Sequence, residues 1–584
     1  MASLEAPFHY CVITASSPSQ ASLYERLIRR RVDCGQYPSN IRFRVYADPP
    51  RGRVGSGGGT MVALFELYQQ EQQQQATALS EDALDEEGIL AFFSKQRVLL
   101  LHAGGESRRL PCYVPEGKLF GPLASAQRGA TACRTNCPVV VLDFLLSLYF
   151  RYPWADGEVI LASGDVIVDF DVAGQLRENF RCGSICGFGK VASLEQGSRH
   201  GVFAFGDDQG PTYPVEDFYQ KSPVEKLRKE CLVPGVLEES CALDTGIFAM
   251  SPEWCLAFFK LGAAQHDGKT LIKAVQASDI YFDFYVEVVM ASLPGQTREQ
   301  FANRVSGISK LPAAILDLMH EHLGSLELRG ALMQDCAFLH FGTLKEFPAA
   351  SLQICELGLQ PFYSHLVEGR SDWNPVPPAK RTDPMIVNSQ AHTLHLRKEA
   401  SDSTEMVWVE MCADLQITLS PSGFHLLVGL EDVKLERPLP EGFCLDGRFI
   451  QKAGAGSTAG STPSETSYIV AVYAAADTFK KVKHPEDVLF CGIPFHSWLQ
   501  QRRLRVEHVW SNAQEAASCT ELWTAKLFLA TTSAASLAEL LPGYWDASCF
   551  RSDDFIAQVR FSLEDLNRLD SALNRDIRRH RLIS

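Results

Sequence analysis

"VLLLHAGGESRRLPCYVPEGKLF" occupies residues 98–120. An apolar run delivers the chain to Gly104 and Gly105, which carry no side chain and so let backbone N–H groups approach an anion closely. Ser107 adds a hydroxyl, and Arg108, Arg109 and Lys118 add fixed positive charge, the arginines being able to grip a phosphate with two parallel hydrogen bonds. Spacing alone leaves a second reading open, in which the glycine pair marks a turn and the arginine pair is a solvated surface. The choice decides the fold, because a phosphate loop at a strand end implies an open α/β sheet.

The flanking sequence has the alternation that such a sheet needs. "YCVITAS" (residues 10–16) reads as a buried strand, and residues 19–32 as a helix with Leu23, Leu27 and Ile28 on one face. "IRFRVYADP" alternates as a strand, and "GSGGGTMVALFELY" is a glycine-rich turn running into a helix, followed by a glutamine-rich solvated helix end or loop at 69–75. A helix at 138–150 and the strand "GEVILASGDV" (157–166) continue the pattern, which predicts a mostly parallel α/β unit. After residue 330 come short strand-like pieces, "AFLHFGTL", "MIVNSQ", "HTLHL", "MVWVEM", "LQITL" and "FHLLVGL". They predict a β-rich unit, a left-handed β-helix-like solenoid in preference to a sandwich. Residues 452–467, "KAGAGSTAGSTPSETS", form a low-complexity loop expected to be mobile, and "AASLAELL" and "SLEDLNRLDSALNRDIRRHRL" predict a helical end. The expected division is 1–330, 331–500 and 501–584.

Composition narrows the function classes. The 584-residue chain carries a net charge of −15, which argues against nucleic-acid binding through a basic face. The N-terminus lacks the pattern of a secretory signal, and the apolar stretch at 139–150 is shorter than the ~20 residues of a membrane span, so a cytoplasmic protein without a membrane segment is expected. The 17 cysteines are scattered and form no CxxC pair. Cys133/Cys137 and Cys182/Cys186 lack the partners that a zinc site needs, and buried thiols in a reducing compartment are expected. "GAAQHDGKT" (262–270) is one residue too long for a P-loop, and "GSGGGT" (55–60) lacks the last glycine of a dinucleotide fingerprint. Neither a nucleophile elbow nor an HExxH motif is present.

The stretch at 98–120 resembles the activation loop of sugar-1-phosphate nucleotidylyltransferases, and more specifically that of the L-fucose-1-phosphate guanylyltransferase (GDP-fucose pyrophosphorylase) family. The likeness continues through "GSGGGT", "LASGDV" (161–166), "SRHGVF" (198–203), "YQKSP" (219–223), "LDTGIF" (243–248), "YFDFY" (281–285), "HFGTLKEF" (340–347) and "CGIPFHSWL" (491–499). It is nearest to the pyrophosphorylase half of bifunctional fucokinase/GDP-fucose pyrophosphorylases, and no sugar-kinase loop of the GGWTD kind is seen. A fucokinase half or partner absent from this chain is therefore part of the expectation. The resemblance implies a Rossmann-like nucleotidyltransferase (GT-A-like) domain at 1–330, a β-helix-like domain at 331–500 and a helical region at 501–584. In the common enzymes the loop of the "GSGGGT" kind follows the activation loop, whereas here it precedes it. That order predicts a permuted sheet in which both loops flank one nucleotide.

The implied reaction joins GTP and L-fucose 1-phosphate into GDP-L-fucose and pyrophosphate, with Mg2+ or Mn2+. The family pattern gives Gly104, Gly105, Ser107, Arg108, Arg109 and Lys118 to the nucleotide phosphates, and Gly55, Gly57, Gly58, Gly59, Thr60 and Gly164 to the rest of the nucleotide. Lys118 follows "EG" where common enzymes have proline before the lysine. Asp165 and Asp283 are the expected metal carboxylates, with Asp279 and Glu287 close enough to compete for the second role. Lys221, His200, Gly201, Asp244, Thr245 and Gly246 are expected at the sugar phosphate. Arg108, Lys118, Asp165 and Lys221 form the expected catalytic set. D-arabinose 1-phosphate as substrate, since one methyl discriminates weakly, and a non-catalytic regulatory homologue are the alternatives.

Overall fold

The computed structural model describes residues 7–74, 84–124, 137–151, 154–170, 185–206, 212–233, 239–333, 336–359, 384–390, 393–398, 406–420, 423–451, 466–477, 479–510, 512–531, 539–569 and 572–583. Most of the glycine/serine/threonine segment at 452–467, together with Cys133 and Cys182, lies outside them.

The chain forms two compact units that are discontinuous in sequence: Met1–Gly105 with Leu142–Leu339, and Glu106–Val141 with His340–Ser584. The backbone thus leaves the first unit inside the opening motif, immediately after its glycine pair. This differs from the contiguous division expected at 330, and the reason is packing. Leu110, Pro111, Cys112, Tyr113, Leu119 and Phe120 are all buried. Tyr113 packs on Phe347 at 4.9 Å between ring centroids, and its hydroxyl accepts the Trp408 indole N–H at 2.9 Å.

A nine-stranded sheet organises the first unit. β1 (Tyr10–Ala15) pairs in parallel with β2 (Arg42–Ala47) on one side and with β3 (Val98–His102) on the other, and β3 pairs in parallel with β4 (Val159–Ser163). Beyond β4 the order continues through Ser240–Met250, Ile185–Ser193, Leu328–Met333, Tyr213–Gln220 and Gly201–Phe205, with mixed directions. β1 is wholly buried and β3 buried up to His102, in keeping with sheet strands covered on both faces. Helix α1 (Pro18–Asp33) starts at Ser17, whose hydroxyl accepts the Gln20 N–H, and buries Tyr24, Leu27 and Ile28. Helix α2 (Gly55–Gln74) begins within the glycine motif itself, so the expected turn is the first turn of the helix. The motif strand β3 lies between β1 and β4, with the two strands that precede it in sequence on one side.

In the second unit short parallel strands pair in sequence order, Met385–Val387 with Val407–Glu410, then His425–Val428, then Phe443–Gln451. A second parallel pair, Leu394–Lys398 with Leu415–Leu419, runs between them in sequence. The sheet then turns antiparallel through Thr466–Ala474, Phe528–Thr531 and Arg560–Phe561. The last two strands lie in the region expected to be helical. Both are too short to leave a clear alternating pattern. The helices Leu563–Leu569 and Ala572–Ile583 close the chain.

Among the described residues no helix is long and apolar enough to cross a membrane. The described cysteines are mostly buried.

Candidate functional site

The carboxyl ends of β1–β4 carry the glycine motifs and Asp165, as open parallel sheets place their ligand groups. The end of β1 is shared by two loops. Gly104 lies so close to it that a Cβ there would stand 3.4 Å from the Ala15 carbonyl carbon and 3.5 Å from the Ser16 nitrogen. On the other side, a Cβ on Gly59 would be 4.0 Å from Thr14 and 3.8 Å from the Asp48 carboxylate. Thr14 Oγ1 accepts the Ala103 N–H at 3.1 Å and Ala15 O accepts the Asp48 N–H at 2.7 Å. Gly104 and Gly59, the glycines of the two motifs, therefore flank one strand end.

The glycines of "GSGGGT" divide by role. Gly55 has φ +81°, and a Cβ there would fall 2.1 Å from the Phe282 carbonyl oxygen. A Cβ on Gly57 would meet the Phe282 ring at 2.4 Å, and one on Gly58 would meet Val54 at 2.8 Å. The Gly57 and Gly58 N–H groups both donate to Phe282 O, at 3.1 and 3.3 Å. At these three positions a Cβ would collide with Phe282 or Val54, whereas at Gly59 it would meet only ordinary contacts.

Thr60 is fully buried, and its hydroxyl also turns inward. Thr60 Oγ1 donates to Ser56 O at 2.9 Å, and it lies 2.8 Å from His102 Nε2. Since the single hydroxyl proton goes to Ser56 O, His102 Nε2–H must donate to Thr60, which leaves Nδ1 to accept the Tyr285 O–H at 3.3 Å. Burial lowers His102 to about 4, so this neutral tautomer holds at physiological pH. One hydrogen-bonded chain thus ties the glycine motif, the end of β3 and the "YFDFY" motif together.

Tyr285 is the hub of the carboxylates. Burial, and then the charges of Asp244, Asp283 and Asp165, push its phenol well above the ordinary value. Asp165 is half-buried, and its Oδ1 accepts the Ser163 hydroxyl at 2.6 Å. Gly164 closes this turn through its N–H to His102 O at 2.9 Å, where a Cβ would collide with the same oxygen. Asp283 caps the helical turn Phe284–Val288: Oδ1 accepts the Tyr285 N–H at 2.8 Å and Oδ2 the Ser56 hydroxyl at 2.9 Å. Glu287 in turn accepts the Asp283 N–H at 2.8 Å, and Asp279 pairs with Lys269. Mg2+ takes one or two carboxylates plus water and phosphate oxygens. Asp165 and Asp283 are both carboxylates of the kind that requirement names, each already accepting hydrogen bonds within the protein. Among the described residues no three His, Cys, Asp or Glu side chains converge as a metal cage.

Of the expected sugar-phosphate residues, Lys221 and His200 meet at one end of the Gly201–Phe205/Tyr213–Gln220 hairpin, where His200 O accepts the Lys221 N–H at 2.9 Å. Lys221 has φ +49° and an exposed side chain. Gly201 packs against Phe218, Gln220 and Asp244, and Thr245 is buried with its hydroxyl on Phe188 O at 2.8 Å, so both are part of the scaffold. Gly246, with φ +74°, brings the chain beside Ser163 and the Tyr285 hydroxyl. Asp244 is 9 % exposed, and its carboxylate accepts the Gly246 N–H at 2.8 Å.

Burial raises Asp244 to about 7, with the Gly246 N–H opposing the shift. Its folded value lies above its unfolded one, so its contribution to stability is full below about pH 4 and is lost as pH rises through 7. Asp244→Asn, which keeps the hydrogen bond, is expected to stabilise the protein by roughly 2–4 kcal/mol at pH 8 and by almost nothing at pH 4. Thermal unfolding of both proteins across that range checks the sign.

Ser107, Arg108, Arg109 and Lys118 belong to the second unit. Ser107 is buried at φ +52°. The Arg108 guanidinium pairs with Glu106 at 2.8 Å and with Glu521, and it stands 5.0 Å over the Trp523 ring. Arg109 is exposed, and Lys118 opens the short turn Lys118–Phe120.

Asp48, His102, Ser56 and Tyr285 are the polar groups that sequence reasoning did not single out. Asp48 had a signal in its position at the end of the "RFRVYAD" strand, one loop before the glycines. His102 and Tyr285 had none beyond lying inside motifs read for other residues.

A family model, that of the fucose pyrophosphorylase domain, matches residues 91–533. A bifunctional fucokinase/GDP-fucose pyrophosphorylase from Arabidopsis thaliana is 28% identical over 351 residues, which cover 57% of this chain and 31% of that protein. A fucose-1-phosphate guanylyltransferase from Mus musculus is 23% identical over 60% of this chain and 58% of its own length. The chain therefore spans between about a third and three-fifths of these relatives. A solved structure, described as mannose-1-phosphate geranyltransferase from Thermus thermophilus, aligns with 80% of this chain and 95% of its own at 11% identity, with a TM-score of 0.24.

Proposed function

The chain belongs to the fucose pyrophosphorylase family, and from that premise we propose that it is a sugar-1-phosphate guanylyltransferase, making GDP-L-fucose and pyrophosphate from GTP and L-fucose 1-phosphate. The observation that carries the reading is the family match over residues 91–533, which includes the opening motif. The approach of Gly59 and Gly104 to the end of β1 supports a nucleotide at that edge. We read the first unit as the Rossmann-like, GT-A-like catalytic part and the stacked parallel strands of the second as β-helix-like. A kinase reaction on the free sugar must supply the substrate.

In this reading an oxygen of the sugar phosphate attacks the α-phosphorus of GTP and pyrophosphate departs in line. Such a substitution asks for alignment and charge neutralisation more than covalent help. Gly104 and Gly105, in the first unit, offer backbone to the phosphates; the family pattern alone gives the departing pyrophosphate to Arg108 and Arg109 and the α-phosphate to Lys118. Lys221, beside His200, takes the sugar phosphate. Asp165 would hold Mg2+ or Mn2+, which screens phosphate charge when bound.

Asp48 is the group suited to choosing the base. Guanine presents two adjacent donors, N1–H and the 2-amino group, which match the two oxygens of one carboxylate. Adenine presents an acceptor beside its amino group, which a carboxylate repels. Burial raises Asp48 to about 6 against the pull of Arg53, so the carboxylate is mostly ionised at neutral pH. Asp48→Asn is expected to lower kcat/KM for GTP by about 10–100-fold, the worth of one or two charge-assisted hydrogen bonds. It should also bring GTP and ITP, which lacks the 2-amino group, close to parity. The wild-type kcat/KM for GTP should fall as pH drops through about 6. A GTP:ITP ratio unchanged by the substitution would remove Asp48 from the base site.

The reading as a whole is tested by pyrophosphate release from GTP, ATP, UTP and CTP against fucose, arabinose, mannose and glucose 1-phosphates, with and without Mg2+. Release fastest with GTP and L-fucose 1-phosphate is expected. Release with no pair would reject it.

A further inference from the structure

We propose that the C-terminal helix Ala572–Ile583 is a clamp that sets the conformation of the motif segment 107–118, with Arg575 and Arg579 as positioning residues acting through Glu116. All the groups involved lie in the second unit. The inference rests on reading Arg108 and Lys118 as the phosphate-binding cations of the proposed reaction.

Glu116 is 1 % exposed, and both guanidiniums converge on its Oε1, Arg575 Nε at 2.7 Å and Arg579 Nη1 at 2.7 Å. Arg575 Nη2 also donates to Cys112 O at 2.8 Å. Arg579 reaches the other way, with Nε donating to Glu410 Oε1 at 2.6 Å on the strand Val407–Glu410. A third buried arginine, Arg448, donates to Pro111 O at 2.8 Å while paired with Asp446 at 2.6 Å. The turn Pro111–Tyr113 and Glu116 are thus held by three guanidiniums from elsewhere in the chain. After Glu116 comes Gly117, at φ +67°, and then Lys118.

The chemistry of these contacts points to positioning. Glu116 and Glu410 face Arg575 and Arg579, and the guanidiniums hold Glu116 below the usual carboxylate range in spite of its burial. A buried ion pair is a poor way to gain stability, since apolar packing of equal volume often does as well, and in this cluster its role is to fix geometry. Here the fixed atoms are backbone carbonyls and a carboxylate within the motif, two residues from Lys118 and a few from Arg108. The same helix has a separate anchor. Arg578 donates to Gly429 O at 3.2 Å and to Glu431 at 2.9 Å, and stands 4.6 Å over Phe449, touching no residue of the motif in these contacts. The helix also lies beyond residues 91–533, so the family match says nothing of it.

Arg575→Ala, Arg575→Lys, Glu116→Gln and Arg578→Ala in the full chain separate positioning from stability. Two readouts are needed: steady-state pyrophosphate release with GTP and L-fucose 1-phosphate, and amide hydrogen exchange over residues 107–120. Arg575→Ala is expected to lower kcat by about 30–100-fold, the cost of misplacing charged groups by about 1 Å, with KM for the sugar phosphate changed less than about twofold. Exchange over 107–120 should rise at least about tenfold. Arg578→Ala should lower the unfolding temperature yet leave kcat within about twofold and that exchange unchanged. Lysine at 575 keeps the charge but not the fork, and should recover part of kcat. If Arg575→Ala does not fold, Glu116→Gln, which is isosteric, is read the same way. Equal kcat and equal exchange in the Arg575 and Arg578 variants would overturn the clamp, and so would a fall in kcat with exchange over 107–120 unmoved. If the wild-type chain releases no pyrophosphate, the proposed reaction fails, and the exchange at 107–120 alone decides the clamp.

Discussion

Asp165→Asn is expected to cut turnover by about 10³-fold, equivalent to ~4 kcal/mol of lost transition-state stabilisation, the scale of a metal-mediated charge effect. The position is at the end of β4, in the turn closed by Gly164 on His102 O, and the side chain is half-buried with Ser163 donating to Oδ1. An amide fills the same space and can still accept that hydroxyl, so the unfolding temperature should stay within about 2 °C. What the amide lacks is the charge that a hard divalent cation requires. Turnover should therefore recover in part as Mg2+ is raised. Pyrophosphate release across a Mg2+ titration, together with thermal unfolding, tests this. Near-normal turnover, or a Mg2+ dependence equal to that of the wild type, would take Asp165 out of the metal site.

Gly55→Ala is expected to have the largest effect on folding, about 3 kcal/mol or more. At φ +81° an alanine is strained by roughly 1–2 kcal/mol before any contact is considered. Its Cβ would also fall 2.1 Å from the Phe282 carbonyl oxygen, a backbone atom that cannot turn aside as a side chain would. Gly59→Ala is the matching control. A Cβ there meets only ordinary contacts at 3.8 and 4.0 Å, and alanine is the better helix former, so stability should hold or rise by up to ~1 kcal/mol. The expected pattern is loss of fold at 55 and, at 59, retained fold with weakened use of GTP. Denaturant unfolding of the two variants decides it. Equal stability of both would mean that the glycines of this motif are not divided between packing and ligand.

Much of the first unit was legible because its elements are local and strongly patterned. β1 at Tyr10–Ala15, α1 at Pro18–Asp33, β3 at Val98–His102 and β4 at Val159–Ser163 fall within a few residues of where their apolar runs put them. The resemblance to a family likewise rested on ordered motifs and is matched by the family model. The region after residue 500 was less legible. Phe528–Thr531 is a strand only because Thr466–Ala474 offers an edge to pair with, and Arg560–Phe561 only because Phe528–Thr531 then offers the next. Pairing partners far apart in the chain leave no periodic trace in either segment.

Residue types at the site were readable, but their roles were not. "GSGGGT" looks like a set of equivalent glycines, and only Phe282, more than 220 residues away, and the local packing of Val54 separate the three where a Cβ would collide from the one where it would meet ordinary contacts. "YFDFY" supplies an aspartate that could bind metal, and only the positions of Ser56 and of the Tyr285 N–H show that it caps a helix. In the stretch at 98–120 the order of residues is enough to establish a strand, a glycine pair and three cations arranged as a family arranges them. Folding settles what becomes of them. It divides that stretch between two compact units after Gly105, where the apolar residues that follow are buried and Tyr113 packs on Phe347 and bonds Trp408. It also buries Glu116 under Arg575 and Arg579, more than 450 residues on. Hydrophobic periodicity is a property of neighbours along the chain, whereas burial and charge pairing depend on which distant surfaces meet.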